Sequence, residues 1–223
     1  MTISNVLTLE AALLGHDQLV DAPHPALVVR AQRRRPLLLR RALEGGAPGA
    51  AAMLLAHGWR PDLHDCAALG DVAGLTAHLA DLAADARDPQ GATALHYAAT
   101  HGHAEVVSRL LAAGAHVRCR WHRDLEPIHL ASAAGHLAVV ERLLAAGARH
   151  DAEDAAGFRP LHSAAAAGHA PVVRRLLLAG ADPHTPVGTA TAVDLARRAG
   201  CQLTLGLLKQ VVRPDPLFGL SRR

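Results

Sequence analysis

The chain has 223 residues, half of them apolar, with a formal charge of +3 and three cysteines. So much apolar content excludes a disordered chain, and so small a charge gives no ground for nucleic-acid binding on its own. Only 2% of the residues are aromatic, so a core must be built from Ala, Leu and Val, which suits closely packed helices better than sheets.

Cys66, Cys119 and Cys201 lie far apart without CxxC spacing, and an odd, unpatterned set fits free thiols in a reducing compartment. Met1–Gly15 has no basic leader and no small-residue cleavage site. No stretch approaches the ~20 apolar residues of a membrane span. The expectation is a cytoplasmic protein with no membrane contact. Lys209 is the only lysine, and this bias toward Arg and Ala points to a GC-rich, bacterial coding sequence.

From the N-terminus, the first distinct segment is Ala11-Ala12-Leu13-Leu14-Gly15-His16. A second runs from Leu37-Leu38-Leu39-Arg40 to Leu54-Leu55-Ala56-His57-Gly58. A third joins Pro61-Asp62-Leu63-His64 to Cys66-Ala67-Ala68-Leu69-Gly70-Asp71. The link between Gly58 and Leu63 is short, and Trp59 within it reads as packing. From Gly91 the pattern becomes regular. Gly91-Ala-Thr-Ala-Leu-His96 returns as Asp124-Leu-Glu-Pro-Ile-His129 and as Gly157-Phe-Arg-Pro-Leu-His162, with the histidines 33 residues apart. Each copy continues through small residues to Gly102-His103, Gly135-His136 or Gly168-His169. Each then enters an apolar run with a helical period, Val106, Val107, Leu110, Leu111 in the first, that ends at Gly114, Gly147 or Gly180. Thr191-Ala-Val-Asp194-Leu-Ala196 and Leu207-Leu208 form a last copy with Asp194 in the histidine place. Pro214 and Pro216 terminate it.

These copies resemble ankyrin repeats, whose T-P-L-H-x-A pattern recurs on a 33-residue period. The resemblance implies an all-α ankyrin-repeat solenoid of about six to seven helix-turn-helix repeats joined by β-hairpin loops. One domain over 1–223 is expected, firmest over 36–212. It comprises a degenerate N-terminal cap repeat (1–35), degenerate repeats (36–58 and 59–90), near-consensus repeats (91–123, 124–156 and 157–187), a C-terminal cap repeat (188–212) and a tail (213–223). The residue types suit these places. Thr93 can cap an inner helix, and Pro127 and Pro160 fit a first helical turn. Ala98, Ala99, Ala131, Ala164 and Ala165 allow close approach of neighbours. Gly102, Gly135 and Gly168 supply a left-handed stop, and the Val-Val and Leu-Leu pairs make the outer helix's apolar face. Lys209 replaces Leu111 at a place where a terminal cap needs a polar face.

Sixteen histidines invite a metal or acid–base reading, but the repeat accounts for most of them. His64, His96, His129 and His162 hold the motif place, where the ring ties loops together. His103, His136 and His169 belong to the Gly-His turns, as His16 does. His116, His122, His150 and His184 fall in or near hairpins, and no Cys or carboxylate spacing supports a metal there. Cys66 reads as a small buried residue, Cys119 as a spectator rather than a reactive thiol, and Cys201 as structural. No phosphate loop, dinucleotide fingerprint, nucleophile elbow or HExxH motif occurs. A non-enzyme without cofactor is expected.

Arg30, Arg33, Arg34, Arg35, Arg40 and Arg41 form a basic cluster. It reads either as a solvated loop or as an electropositive end of a groove preferring acidic partners. RNA or DNA is the weaker alternative because no aromatic residues interleave these arginines.

The resemblance implies a protein partner, bound by a monomer on the concave face of hairpin tips and inner helices. The variable positions give Arg87, Pro89, Gln90 and Ala92 with Thr100 and His101 in the fourth repeat. The sixth gives Glu153, Ala155, Ala156 and Phe158 with Ala166 and Ala167, and the last gives Arg198. In the fifth, Arg118-Cys-Arg-Trp-His-Arg-Asp124 departs most, with Trp121 in place of Asp and Asp124 in place of Gly. Arg120, Trp121, His122 and Arg123 are therefore the central candidates, since broken local rules and Trp or Arg mark binding sites. Trp121 folded back over the neighbouring hairpin is the competing structural reading. Tyr97 reads equally as packing or contact. The expected role is a scaffold or adaptor. The alternatives are an inhibitor or immunity-type partner of a specific enzyme and, from another class, an enzyme with a loop-histidine metal centre.

Overall fold

The computed structural model describes residues 55–56 and 60–212. The expectations placed on 1–54, including the basic cluster, and on Trp59 and the tail lie outside the described residues. Five helix pairs follow one another: α1 (Leu63–Leu69) with α2 (Val72–Leu79), α3 (Ala94–His101) with α4 (Ala104–Ala112), and α5 (Pro127–Ala134) with α6 (Leu137–Ala145). Then come α7 (Pro160–Ala167) with α8 (Ala170–Leu178), and α9 (Ala192–Arg198) with α10 (Gln202–Val212). The first members pack on one another in a row, each also against its own partner, and the second members form an outer row.

The inner row is close because its buried faces are small: Ala98, Ala99, Ala131, Ala164, Ala165, Ala192 and Ala196 are fully buried. Proline begins α5 and α7, where no intrahelical N–H bond is lost. The stops at Gly102 and Gly135, φ 81° and 80°, have a second cause beyond the left-handed turn. A Cβ on Gly102 would stand 2.6 Å from the His136 ring, and one on Gly135 2.6 Å from the His169 ring. α1, α3 and α5 thus end on a glycine against which the next repeat's Gly-His histidine lies. Those rings are held by Nε2 bonds to inner-helix carbonyls of the preceding repeat: His103 to Ala68, His136 to Thr100 and His169 to Ala133, at 2.9–3.0 Å. Cys201 takes the same place against Gly168, which gives this thiol a packing role.

In the outer row Val106, Val107 and Leu110 of α4 are buried, as are Val139, Val140 and Leu143 of α6. The Leu-Leu expectation needs correction here. Only the first leucine of each pair is sealed, while Leu111 and Leu144 are half-buried. In α8 Val172, Val173 and Leu176 are buried, so the pair Leu177-Leu178 just before Ala179-Gly180 lies one residue past the core position. Leu178 is 74% exposed, in the place that Ala112 and Ala145 occupy in the other copies.

The connecting loops are hairpins closed by isolated bridges, Arg87 with Thr93, Trp121 with Leu125 and Val187 with Ala190, and not by extended strands among the described residues. At the end of the series Asp194 accepts from the Thr191 N–H (3.0 Å) and hydroxyl (2.8 Å). It closes its helix start as histidine does elsewhere, but is too short to reach a further hairpin. Lys209, in the place that Leu111 holds in α4, is exposed.

Candidate protein-binding face

The motif histidines organise the hairpins from below. In α3, α5 and α7 the ring Nδ1 accepts the N–H of the residue just before the helix: Thr93 to His96, Glu126 to His129 and Arg159 to His162, at 3.1–3.2 Å. Nε2–H then donates to a hairpin carbonyl further along: His96 to Leu125 (3.3 Å), His129 to Ala152 (3.0 Å) and Phe158 (3.2 Å), and His162 to Thr185 (2.9 Å). His64 reaches Ala86 in the same way at 2.9 Å. The rings of His96, His129 and His162 are thus fixed as the Nε2–H tautomer by their acceptor and donor roles. Burial lowers the pKa of all three, that of His96 to about 4. The Thr93 hydroxyl lies 2.9 Å from the His96 Nδ1, so Thr93 serves the helix start through the histidine.

Three consecutive hairpin tips stand on this footing. In the fourth repeat Asp88 Oδ1 accepts the N–H groups of Gln90 (2.8 Å) and Ala92 (2.9 Å), and Oδ2 accepts the Tyr97 hydroxyl at 2.8 Å. Tyr97 is therefore core packing. Asp154 plays the same part in the sixth repeat, accepting from Ala156 and Phe158 at 2.8 Å. The fifth repeat has Trp121 in that place and loses the carboxylate. Its turn survives through the Trp121 N–H bond to Leu125 (3.0 Å), with Arg123 and Asp124 in left-handed conformations at φ 61° and 59°.

Trp121 compensates by reaching backward. Its indole Nε1–H donates to the Gln90 carbonyl at 3.1 Å, and its ring lies 5.7 Å from His96 and 6.3 Å from Tyr97. The side chain is half-buried against the core. Forward, the Ala155 N–H donates to the Arg123 carbonyl at 2.8 Å. The altered turn therefore joins the tips of the fourth, fifth and sixth repeats into one surface.

On that surface Arg87, Gln90, Arg120, His122 and Arg123 are exposed and brought together. Arg87 Nη1 donates to the carbonyls of Gly91 (2.6 Å) and Arg120 (3.1 Å). With Asp85, His116, Arg118 and Cys119 it lines a cleft of about 770 Å³ between the two hairpins. Burial raises the Cys119 pKa, and its sulfur lies 3.4 Å from the Thr93 hydroxyl. Phe158 is half-buried, 6.0 Å from the His162 ring. Ala92 is fully buried and presents nothing.

The palm is sparser. Thr100 is half-buried, and its hydroxyl donates to the His96 carbonyl at 2.9 Å. His101 is half-buried and stacked on His103 at 6.3 Å, its pKa lowered by burial and then by His103 and His136. Ala133, Ala134, Ala166 and Ala167 are exposed. Arg198 is exposed on α9, three helix pairs along from Thr100, and is not part of the tip cluster.

The residue patterns above do not single out Glu126. It stands just before α5, where Thr93 and Thr191 stand before α3 and α9, and it is only 4% exposed. Burial raises its pKa against the pull of Arg120. An acid in a threonine place is the signal that points to it.

Paired antiparallel helices, stacked side by side with hairpins projecting from one edge, define a solenoid repeat protein. A family model for ankyrin repeats (three copies) matches residues 11–154 and 113–187. The chain belongs to the ankyrin-repeat family. A search of curated proteins matches none. Ankyrin repeats generally mediate protein–protein interaction. Among the described residues no helix is long and apolar enough to cross a membrane, and no group of three or more His, Cys, Asp or Glu is placed to hold a metal.

Proposed function

We propose that this chain is a non-catalytic scaffold or adaptor that holds an acidic protein surface on the joined hairpin tips of its fourth to sixth repeats. The observation that carries this reading is the run of exposed guanidinium groups, Arg87, Arg118, Arg120 and Arg123, on two adjacent hairpins. Only Asp85 and Asp124 lie exposed or half-buried among them. Guanidinium groups desolvate readily and bind carboxylates bidentately, so such a row suits an acidic partner. Gln90, His122 and Phe158 flank it, and Thr100, His101 and the exposed alanines admit a chain close to the inner helices. Arg198 marks the far end of the same face. The protein works as a monomer in the cytoplasm in this reading, and a role as inhibitor of one enzyme would use the same face.

Trp121 enters as the residue that shapes the surface, with its ring edge as a contact. The test is photo-crosslinking in cells, with the crosslinking residue placed at Gln90 or His122 and, as control, at exposed Glu141 on the outer row. A defined product is expected from the tip positions and not from Glu141, and it should be lost when Arg120→Glu and Arg123→Glu are added. Equal products from both faces, or a product indifferent to charge reversal, overturn the proposal.

A further inference from the structure

Between the fifth and sixth hairpins lies a second cleft, of about 270 Å³, lined by Arg120, Glu126, Arg149, Asp151, Glu153 and Arg159. Its electrostatics are largely settled from within. Arg149 holds Asp151 through two bonds of 3.0 and 2.9 Å, and Arg159 holds Glu153 through Nε and Nη2 at 3.1 and 2.7 Å. Glu126 is the exception. Its Oε2 is buried without a hydrogen-bond partner, and the nearest guanidinium nitrogen, Arg120 Nε, stands 3.9 Å from Oε1, beyond hydrogen-bonding distance. A buried carboxylate oxygen left in this state is strongly unfavourable, so the site demands a donor that the chain does not supply.

We infer that this cleft is a socket for one cationic side chain, Lys or Arg, of the bound protein, with the Glu126 carboxylate as its receptor. An anion would meet Glu126, Asp151 and Glu153, while Arg149 and Arg159 are already held by Asp151 and Glu153. A neutral donor would satisfy the oxygen and leave its charge uncompensated. A cation does both, and the three carboxylates of the lining match its three arginines, with Arg118 the one further cation acting on Glu126. The place just before the inner helix holds Asp62, Thr93, Glu126, Arg159 and Thr191 in the five described repeats, and it is Glu126 that lies beneath the altered tip. The partner is then acidic where it meets Arg87, Arg120 and Arg123, with a single basic anchor between the fifth and sixth hairpins. That the cation belongs to a partner rests on the proposed function; the preference of the cleft for a donor cation does not.

The two claims separate experimentally. Methylguanidinium and n-butylammonium are titrated separately into the full chain while the Glu126 side-chain carboxyl carbon is followed by NMR, with tetramethylammonium as a cation that has no N–H donor. A saturable shift at Glu126 with one or both donor cations, none with tetramethylammonium, and about tenfold or more weaker binding in Glu126→Gln is expected. Which cation saturates tells arginine from lysine. A cleft filled by water only gives no saturable shift with either donor, and that result overturns the socket. So does a response shared by tetramethylammonium or retained in Glu126→Gln. Because the wild-type comparison of the three cations is itself decisive, misfolding of the variant leaves the result readable. A failed crosslinking experiment would remove the partner and leave this titration unaffected.

Discussion

The indole N–H of Trp121 donates to the backbone carbonyl of Gln90 at 3.1 Å, across 31 residues of sequence and one full hairpin. Trp121 therefore replaces a local turn carboxylate with a bond to the preceding repeat. Removing it should cost stability before it costs contact. Trp121→Ala should lower unfolding free energy by about 2 kcal/mol, less than the full loss for a buried aromatic because the ring is half-exposed. Trp121→Phe keeps the ring against Tyr97 and His96 and should lose about 1 kcal/mol for the hydrogen bond. Urea titration of both variants measures this; equal stability for all three proteins would show that the backward reach contributes nothing.

The same turn stores backbone strain. Arg123 and Asp124 both sit near φ 60°, where a Cβ clashes with the following carbonyl and only glycine is at ease. Arg123→Gly should stabilise by about 0.5–1 kcal/mol, the relief being partly offset by glycine's larger entropy in the unfolded chain. Asp124→Gly should give less, because Asp tolerates this region. If thermal denaturation shows both variants to be less stable, the bond from Ala155 to the Arg123 carbonyl depends on the side chains too.

The helix row was legible in the sequence because its determinants are local and repeated. Gly102, Gly135 and Gly168, the prolines at Pro127 and Pro160, and the valine pairs each announce a turn or a face. The motif histidines were legible as loop ties for the same reason. The direction of Trp121 was not, since a missing turn residue says that something must compensate and leaves open which neighbour it reaches. The outward face of Leu178 is not legible, because three consecutive leucines, Leu176 to Leu178, hide which one faces the core. Glu126 carries only a faint local signal, an acid where Thr93 and Thr191 stand, because its meaning depends on Arg149, Asp151 and Arg159, which arrive from the next hairpin.

Acid should loosen the stack in a defined window. His96, His129 and His162 are neutral in the fold, their Nδ1 atoms accepting N–H bonds that a proton would abolish. The unfolded chain takes up protons near the ordinary value of 6.5, whereas His96 in the fold does so only near 4. Between these values the unfolded state binds more protons, so stability should fall as pH drops from about 6.5 to 4 and level off below that for this group. For His96 alone the full span amounts to about 3 kcal/mol. Glu126, with its pKa raised by burial, works in the opposite sense above its ordinary value of 4.5. Urea midpoints measured across this range should follow that slope, and His96→Gln should flatten it; a slope unchanged in that variant would assign the transition to other groups.

The contact between each Gly-His ring and the glycine one repeat earlier can be isolated by a cycle. Gly135→Ala places a methyl 2.6 Å from the His169 ring in a left-handed backbone, and both effects should destabilise, together by about 2–3 kcal/mol. His169→Ala removes the bond to the Ala133 carbonyl and the packing over Gly135, at a cost of about 1–2 kcal/mol. In the double variant the clash has no partner, so the combined loss should fall short of the sum by about 1 kcal/mol, leaving only the backbone penalty of the introduced methyl. Strict additivity in denaturant unfolding would mean that the glycine is required only for its φ. The coupling predicted here would mean that one residue terminates its own helix and seats the next repeat at once, which explains why Gly and His recur together.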